Sequence, residues 1–167
     1  MDIRRLAASD APAYRAVRLR SLREYPEAFT SSYEEHDAQP LDHAQQRLAS
    51  PVNRFWGAFD DAQLCGTIGL EPETRAKNRH KATVVGMYVA PERSGRGIGR
   101  RLLDALVKDA RESGLEMLVL TVTDGNQHAL RLYQGAGFRS FGIEPHAIRI
   151  AGRTYAKNHM YLDLTTS

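Results

Sequence analysis

The sequence predicts an α+β domain built on a mixed, mostly antiparallel sheet with one parallel strand–helix–strand crossover. Three features predict it. Phe55-Trp56-Gly57-Ala58-Phe59 and Leu64-Cys65-Gly66-Thr67-Ile68-Gly69-Leu70 flank Asp60-Asp61, the pattern of an antiparallel hairpin. Ile98, Leu102, Ala105, Leu106 and Val107 keep one apolar stripe at helical spacing. Leu115 to Val122 is a dense apolar run of the kind found in central strands. With the strand-like run Ala82 to Val89 in front of that helix, the two flanking strands require a parallel crossover.

The remaining elements follow in order. Asp2 to Leu6 alternates apolar and polar residues and reads as a first strand, with Ile3 facing inward. Ser9-Asp10-Ala11-Pro12 marks a helix start, because Ser or Asp caps free amides and proline in the first turn loses no hydrogen bond. Ala13, Tyr14, Val17, Leu19 and Leu22 carry that helix to Arg23, and Pro26 interrupts it. A second short helical piece runs through Glu27, Ala28, Phe29 and Tyr33, and a third from Pro40 to Ala49. Trp56 and Phe59 read as core residues, and Arg75 to Arg79 as a turn. The stripe helix spans Gly97 to Glu112 and stops at Gly114. Asn126 to Gln134 forms a short helix, Gly137 to Gly142 leads into another strand, and Tyr155 to Leu164 closes the chain with a last one.

Composition bounds the function. The chain has 167 residues, of which 42% are hydrophobic and 26% charged, the balance of one soluble globular domain over residues 1–167. No apolar run approaches the ~20 residues of a bilayer span, and charges stand where a signal peptide needs its apolar segment, so a cytoplasmic location without membrane partners is expected. Cys65 is the single cysteine, which excludes an intramolecular disulfide and suits a buried thiol. His128 and His146 show no H-x-x-x-H or H-E-x-x-H spacing, so no metal is expected. Twenty-three Lys and Arg against twenty Asp and Glu give a formal net charge of +3. Two basic clusters, Arg75, Lys77, Arg79, Lys81 and Arg93, Arg96, Arg100, Arg101, come without a reader helix or aromatic platform, which argues against a nucleic-acid partner.

The second cluster encloses glycines. Gly95, Gly97 and Gly99 occupy alternate positions between a strand and a helix, leaving backbone open to a ligand at a helix N-terminus, where free amides and the helix dipole favour an anion. Ser94-Gly95-Arg96-Gly97-Ile98-Gly99-Arg100 is thus a candidate pyrophosphate cradle; a tight strand-to-helix turn is the structural alternative. The spacing fits neither G-x-G-x-x-G nor G-x-x-x-x-G-K-[ST], which removes the dinucleotide fold and the P-loop.

Val89-Ala90-Pro91-Glu92 followed by Gly95-Arg96-Gly97-Ile98-Gly99-Arg100 resembles the acyl-CoA loop of the GNAT superfamily of N-acetyltransferases. Asn126-Gln127-His128-Ala129-Leu130-Arg131-Leu132-Tyr133-Gln134-Gly135-Ala136-Gly137-Phe138 resembles that family's N-x-x-A-x-x-x-Y-x-x-x-G-F motif, in the expected order. The resemblance implies a splayed acyl-CoA cleft, acetyl-CoA as cosubstrate and a small-molecule primary amine as acceptor. It implies that Met87 and Val89 offer backbone hydrogen bonds to the pantetheine arm, that amides from Ser94 to Arg100 hold the pyrophosphate, and that Asn126 and Tyr133 lie along the cofactor. Ser94 departs from the pattern, which expects Gln or Arg there. Small members of the family are often dimers, so a homodimer is compatible with the resemblance.

Acetyl transfer to an amine needs a neutral nucleophile, a stabilised oxyanion and a proton for the departing thiolate. Tyr133 is the candidate acid, with a plain core tyrosine as its structural alternative, and the amide of Val89 is the candidate oxyanion donor. The base is open. Family members carry glutamates at positions matching Thr83 and Thr121, and both are threonine here, which counts against a histone-type or ribosomal-protein-type enzyme. Glu71, His80, Glu34, Glu35 and a water chain remain. A non-catalytic acyl-CoA-binding module and a peptide amine acetyltransferase are the alternative functions. The segment from Tyr25 to Glu35 lines the acceptor cleft by the family layout.

Overall fold

The computed structural model describes residues 1–166. Its elements are β1 (Asp2–Arg5), α1 (Ala11–Glu24), α2 (Tyr33–Asp37), α3 (Leu41–Leu48), β2 (Arg54–Asp60), β3 (Gln63–Pro72), β4 (Lys81–Val89), α4 (Ile98–Glu112), β5 (Met117–Thr123), α5 (Gln127–Gly135), β6 (Arg139–Ile150) and β7 (Arg153–Asp163). The strands form one seven-stranded sheet in the order β1-β2-β3-β4-β5-β7-β6. Its pairs are antiparallel apart from β4 with β5, which are parallel because α4 returns the chain across the sheet. The expected α+β class, mostly antiparallel sheet and single crossover are therefore observed.

Local chemistry explains most boundaries. Asp61 and Ala62 both take positive φ (49° and 64°), the two-residue turn that suits the twist of β2 and β3. Gly114, at φ 83°, ends α4. The piece expected around Pro26 divides in two, a single 3-10 turn at Pro26–Ala28 and then α2. Ser32 Oγ accepts the Glu35 N–H at 3.1 Å while Glu35 Oε2 accepts the Ser32 N–H at 2.8 Å, a reciprocal cap that starts α2 afresh. Asp10 does not cap α1 with its side chain; its carboxylate takes Arg4 at 2.9 Å and the Ala7 N–H at 2.8 Å. β6 runs well beyond Gly142, forming a long hairpin with β7.

Alternation along the strands divides the core. Ile68, Leu70, Val84, Leu118, Leu120 and Met160 meet Leu102, Leu103 and Leu106 of α4 and Tyr133 of α5 on one face. Phe55 meets Tyr14 of α1 with Ala44 and Leu48 of α3 on the other, where Val85 joins them. Trp56 is buried as expected, whereas Phe59 is only partly covered and lies under Arg4. Cys65 is buried, and desolvation pushes its thiol pKa up.

The site is positioned by where β4 and β5 part. They pair only at Lys81 with Met117, Ala82 with Leu118 and Thr83 with Val119. Beyond Thr83 the register of β4 against β3 shifts, Gly86 adopts φ 63°, and Thr67 Oγ1 donates to the Gly86 carbonyl at 3.0 Å. An extra residue in one strand bends it, and this bulge turns the end of β4 away from β5.

Candidate active site

At the end of β4 the chain makes a 3-10 turn at Pro91–Arg93 and then passes through the glycine loop into α4. Gly95 (φ 78°) and Gly97 (φ 73°) are left-handed, and a Cβ built on either would meet nothing within 4 Å. Glycine is needed there for the backbone, and the space in front is open. Ser94 N–H donates to the Pro91 carbonyl, and Arg101 N–H makes the first bond of α4, to the Gly97 carbonyl. Between them the amides of Gly95, Arg96, Gly97, Ile98, Gly99 and Arg100 have no protein acceptor among the described residues. Such a run of donors at a helix N-terminus matches the oxygens of a pyrophosphate.

The arginines around the loop are less free than their sequence density implied. Arg93 and Arg96 both reach Asp60, at 2.9 and 3.4 Å, and Arg100 pairs with Asp104 at 2.9 Å and donates to the Gly135 carbonyl at 3.0 Å. Folding brings these carboxylates in from the end of β2 and from α4, so the loop offers an anion its backbone amides more than free side-chain charge.

Beside the loop, Ala90 N–H bonds to the Cys65 carbonyl on β3. Backbone groups alternate sides along a strand, so the N–H and C=O of Val89 and of Met87 face the parting with β5. α5 lies against the start of α4, where Leu132 is 3.4 Å from the Cβ position of Gly99. Tyr133 is buried, edge-to-face with Phe138 at 5.7 Å, and its hydroxyl makes no hydrogen bond to protein among the described residues. Burial raises its pKa, so the phenol stays protonated. Asn126 caps α5, its Oδ1 accepting the Ala129 N–H at 3.2 Å, which leaves Nδ2 as a donor.

Thr123 Oγ1 donates to the Glu27 carbonyl at 2.6 Å, fastening the segment after α1 across the end of β5. Glu71 stands opposite Thr83 on β3, but its carboxylate is engaged by Arg47 at 3.2 Å. His80 precedes β4 and is exposed beside an open surface hollow shared with Lys81, Glu116 and Tyr161. At ~3.3 Å per residue it lies roughly 16 Å along the strand from Val85, so the structure does not bring it to the parting. Glu34 and Glu35 fall on α2, where Glu35 serves the cap.

A different pair does stand there. His159 on β7 is the register partner of Thr121, and its Nε2 lies 2.8 Å from Oε1 of Glu144 on β6. Lys157, buried two residues before it and opposite Glu144, has its ammonium disfavoured by desolvation. Among the described residues no three His, Cys, Asp or Glu side chains converge on a common point.

Residues 19–138 match the sequence model of the Acetyltransferase (GNAT) family. The chain belongs to this family. Its curated relatives include the N-alpha-acetyltransferase RimI of Mycobacterium tuberculosis, 34% identical over 70% of this chain and 71% of that protein. The L-amino acid N-acyltransferase MnaT of Escherichia coli is 40% identical over 47% of this chain and 45% of its own length. Among solved structures, yncA, a putative acetyltransferase from Salmonella typhimurium with its cofactor acetyl-CoA, superposes with a TM-score of 0.81 at 21% identity, covering 98% of this chain and 94% of that one. The GNAT fold thus stands on both sequence and shape, and the acyltransferase class on sequence.

In this GNAT chain the glycine loop opens α4, and α5, which begins after Asn126 and carries Tyr133, packs against the start of that helix. Sequence reading missed His159 and Glu144. Fifteen residues apart, they meet only because the β6–β7 hairpin has a register shift between Ser140 and Gly142. The one local signal was a histidine between Asn158 and the apolar run Met160-Tyr161-Leu162 of the last strand.

Proposed function

We propose that this GNAT chain moves an acetyl group from acetyl-CoA to the primary amine of a small, amino-acid-like acceptor. The observation that carries the reading is the run of unpartnered amides from Gly95 to Arg100, set beside the free edge of β4. Bound acetyl-CoA supplies an activated acyl thioester. The loop amides hold its pyrophosphate, the backbone of Met87 and Val89 aligns its arm like an added strand, and Asn126 Nδ2 donates to it. The Ser94 N–H is taken by the Pro91 carbonyl, so Ser94 adds no amide to the cradle, which starts at Gly95 and works without Gln or Arg at position 94.

The chain's own groups then handle protons. Tyr133 Oη, kept protonated by burial, donates to the leaving sulfur. The Val89 N–H donates to the oxygen that gains negative charge. His159, held by Glu144, receives the proton of the acceptor ammonium through water, and Thr121 leaves room for that water beside it. This role replaces Glu71 and His80, the first engaged by Arg47 and the second at the far end of β4.

Calorimetry with acetyl-CoA, followed by thiol release with a panel of amines, tests the reading. Binding and turnover with free amino acids are expected; absence of binding by the folded protein rejects it. The identity to RimI favours a second reading, a peptide N-terminal amine, which a panel containing short peptides decides by the higher kcat/KM.

A further inference from the structure

We propose that Arg18 recognises a carboxylate on the acceptor, so that the amine acetylated here is also a carboxylic acid. The inference rests on the transfer reading above and assigns its substrate class.

Arg18 lies in mid-α1, its guanidinium carbon 4.6 Å from the centre of the Phe29 ring. Nη1 is shut off from solvent and has no hydrogen-bond acceptor among the described residues. No carboxylate pairs with it there, in contrast to its neighbours. Arg15 reaches Asp37 and the Gln39 carbonyl, Arg20 holds Glu24 and Glu92, and Arg47 holds Glu71. A guanidinium removed from water without an anion is costly, and folded chains retain one where something else completes it. Stacking on Phe29 accounts for the flat side of the group and leaves its N–H edge unanswered.

The surroundings point to an oxyanion. Arg47 Nε is a second buried, unpartnered donor, and Glu71 is already committed to Arg47. The adjoining hollow between α1, α2 and α3 is lined by Arg15, Arg18, Arg47, His36 and His43. Burial first, then the charges of Arg18, Arg47 and His43, hold the His36 pKa down at about 4, with Glu35 the opposing charge. Two guanidinium edges and no free carboxylate form a receptor for the two oxygens of a carboxylate.

The position fits the acceptor. Phe29 belongs to the segment fastened across the end of β5 by Thr123 and Glu27, and Glu71 is the register partner of Thr83. Arg18 is thus joined to the β5 side of the parting through Phe29 and to the β3 side through Arg47 and Glu71, while His159 is the register partner of Thr121 on β5. An amino acid bridging that space presents its amine to the cleft and its carboxylate to Arg18.

Two measurements test this. In the first, sodium formate is titrated into the protein while the His36 imidazole is followed by NMR. An anion at Arg18 offsets part of the positive field, so the His36 midpoint rises in the wild type, less in R18K and not in R18Q. An unmoved midpoint in the wild type overturns the site. In the second, kcat/KM is compared for an α-amino acid and its carboxamide. The acid is preferred by about tenfold to a hundredfold, R18K keeps part of that preference and R18Q loses it. Equal use of acid and amide by the wild type, even with a formate response, overturns the acceptor assignment and leaves a free-anion site. No turnover with any amine despite bound acetyl-CoA rejects the transfer reading instead, and the formate titration then decides the site alone.

Discussion

Arg20 of α1 grips Glu92 with both ends of its guanidinium, at 2.7 Å to each carboxylate oxygen, and so ties the first long helix to the turn in front of the glycine loop. The same guanidinium holds Glu24, which accepts the Tyr88 hydroxyl at 2.6 Å. One network thus links α1, the end of β4 and the cradle, although Arg20 and Glu92 are far apart in sequence.

That network predicts how the loop responds to its loss. Arg20 lowers the Glu92 pKa to about 2, below its ordinary value of 4.5. A carboxylate depressed on folding stabilises the native state fully above its unfolded pKa and loses that contribution as pH falls towards the folded value. The stability difference between wild type and Glu92→Gln should be constant above pH 4.5 and vanish near pH 2. Acetyl-CoA affinity of the variant should fall several-fold at neutral pH. Calorimetry and chemical denaturation across that range measure both, and an affinity indifferent to the change disproves the coupling.

Gly97 is predicted to tolerate substitution in the fold better than in binding. Alanine at φ 73° costs about 1–2 kcal/mol of backbone strain, but its Cβ meets nothing. Gly97→Glu adds a like charge before the amides that face a pyrophosphate, and should abolish acetyl-CoA binding at concentrations that saturate the wild type. Circular dichroism with calorimetry separates the two effects; retained binding by a folded variant shows that the loop is not the cradle.

Tyr133→Phe should leave acetyl-CoA affinity and thermal stability nearly intact. The hydroxyl it removes has no protein partner among the described residues, and the ring contact with Phe138 persists. Turnover should fall by about 10²-fold or more, the usual share of a positioned acid. An unchanged kcat excludes the donor role.

His159→Gln should lower kcat/KM without changing acetyl-CoA affinity. The groups facing the imidazole are Glu144 across the hairpin and Lys157 on its own strand. Glu144→Gln should reproduce part of the loss, because an amide cannot hold the imidazolium as a carboxylate does. An unchanged kcat/KM in His159→Gln would return the proton to a water chain alone.

Legibility followed sequence separation. The element order, the crossover and the glycine loop were readable because each depends on neighbours within one helix or turn: Gly97 stands where the backbone must be left-handed, and Gly114 where α4 must stop. The boundary at α2 is less legible although Ser32 and Glu35 form a local cap, because Pro26 signals a helix start that the structure limits to one 3-10 turn before the chain begins again at Ser32. At the start of α1, where the sequence offers Ser9 or Asp10 as a cap, the converse holds: Arg4 from β1 competes for the Asp10 side chain that local rules would use for capping.

By itself, then, the sequence determined the run of free amides that opens α4, since these follow from backbone geometry and from glycine alone. Only the tertiary structure decided the electrostatics around it. Folding neutralised Arg93 and Arg96 with Asp60, gave Glu71 to Arg47, set His159 on Glu144 and left Arg18 without a carboxylate. Charge acts through space over a few ångströms, and which charges come that close is fixed by strand register and helix packing, which no residue specifies singly.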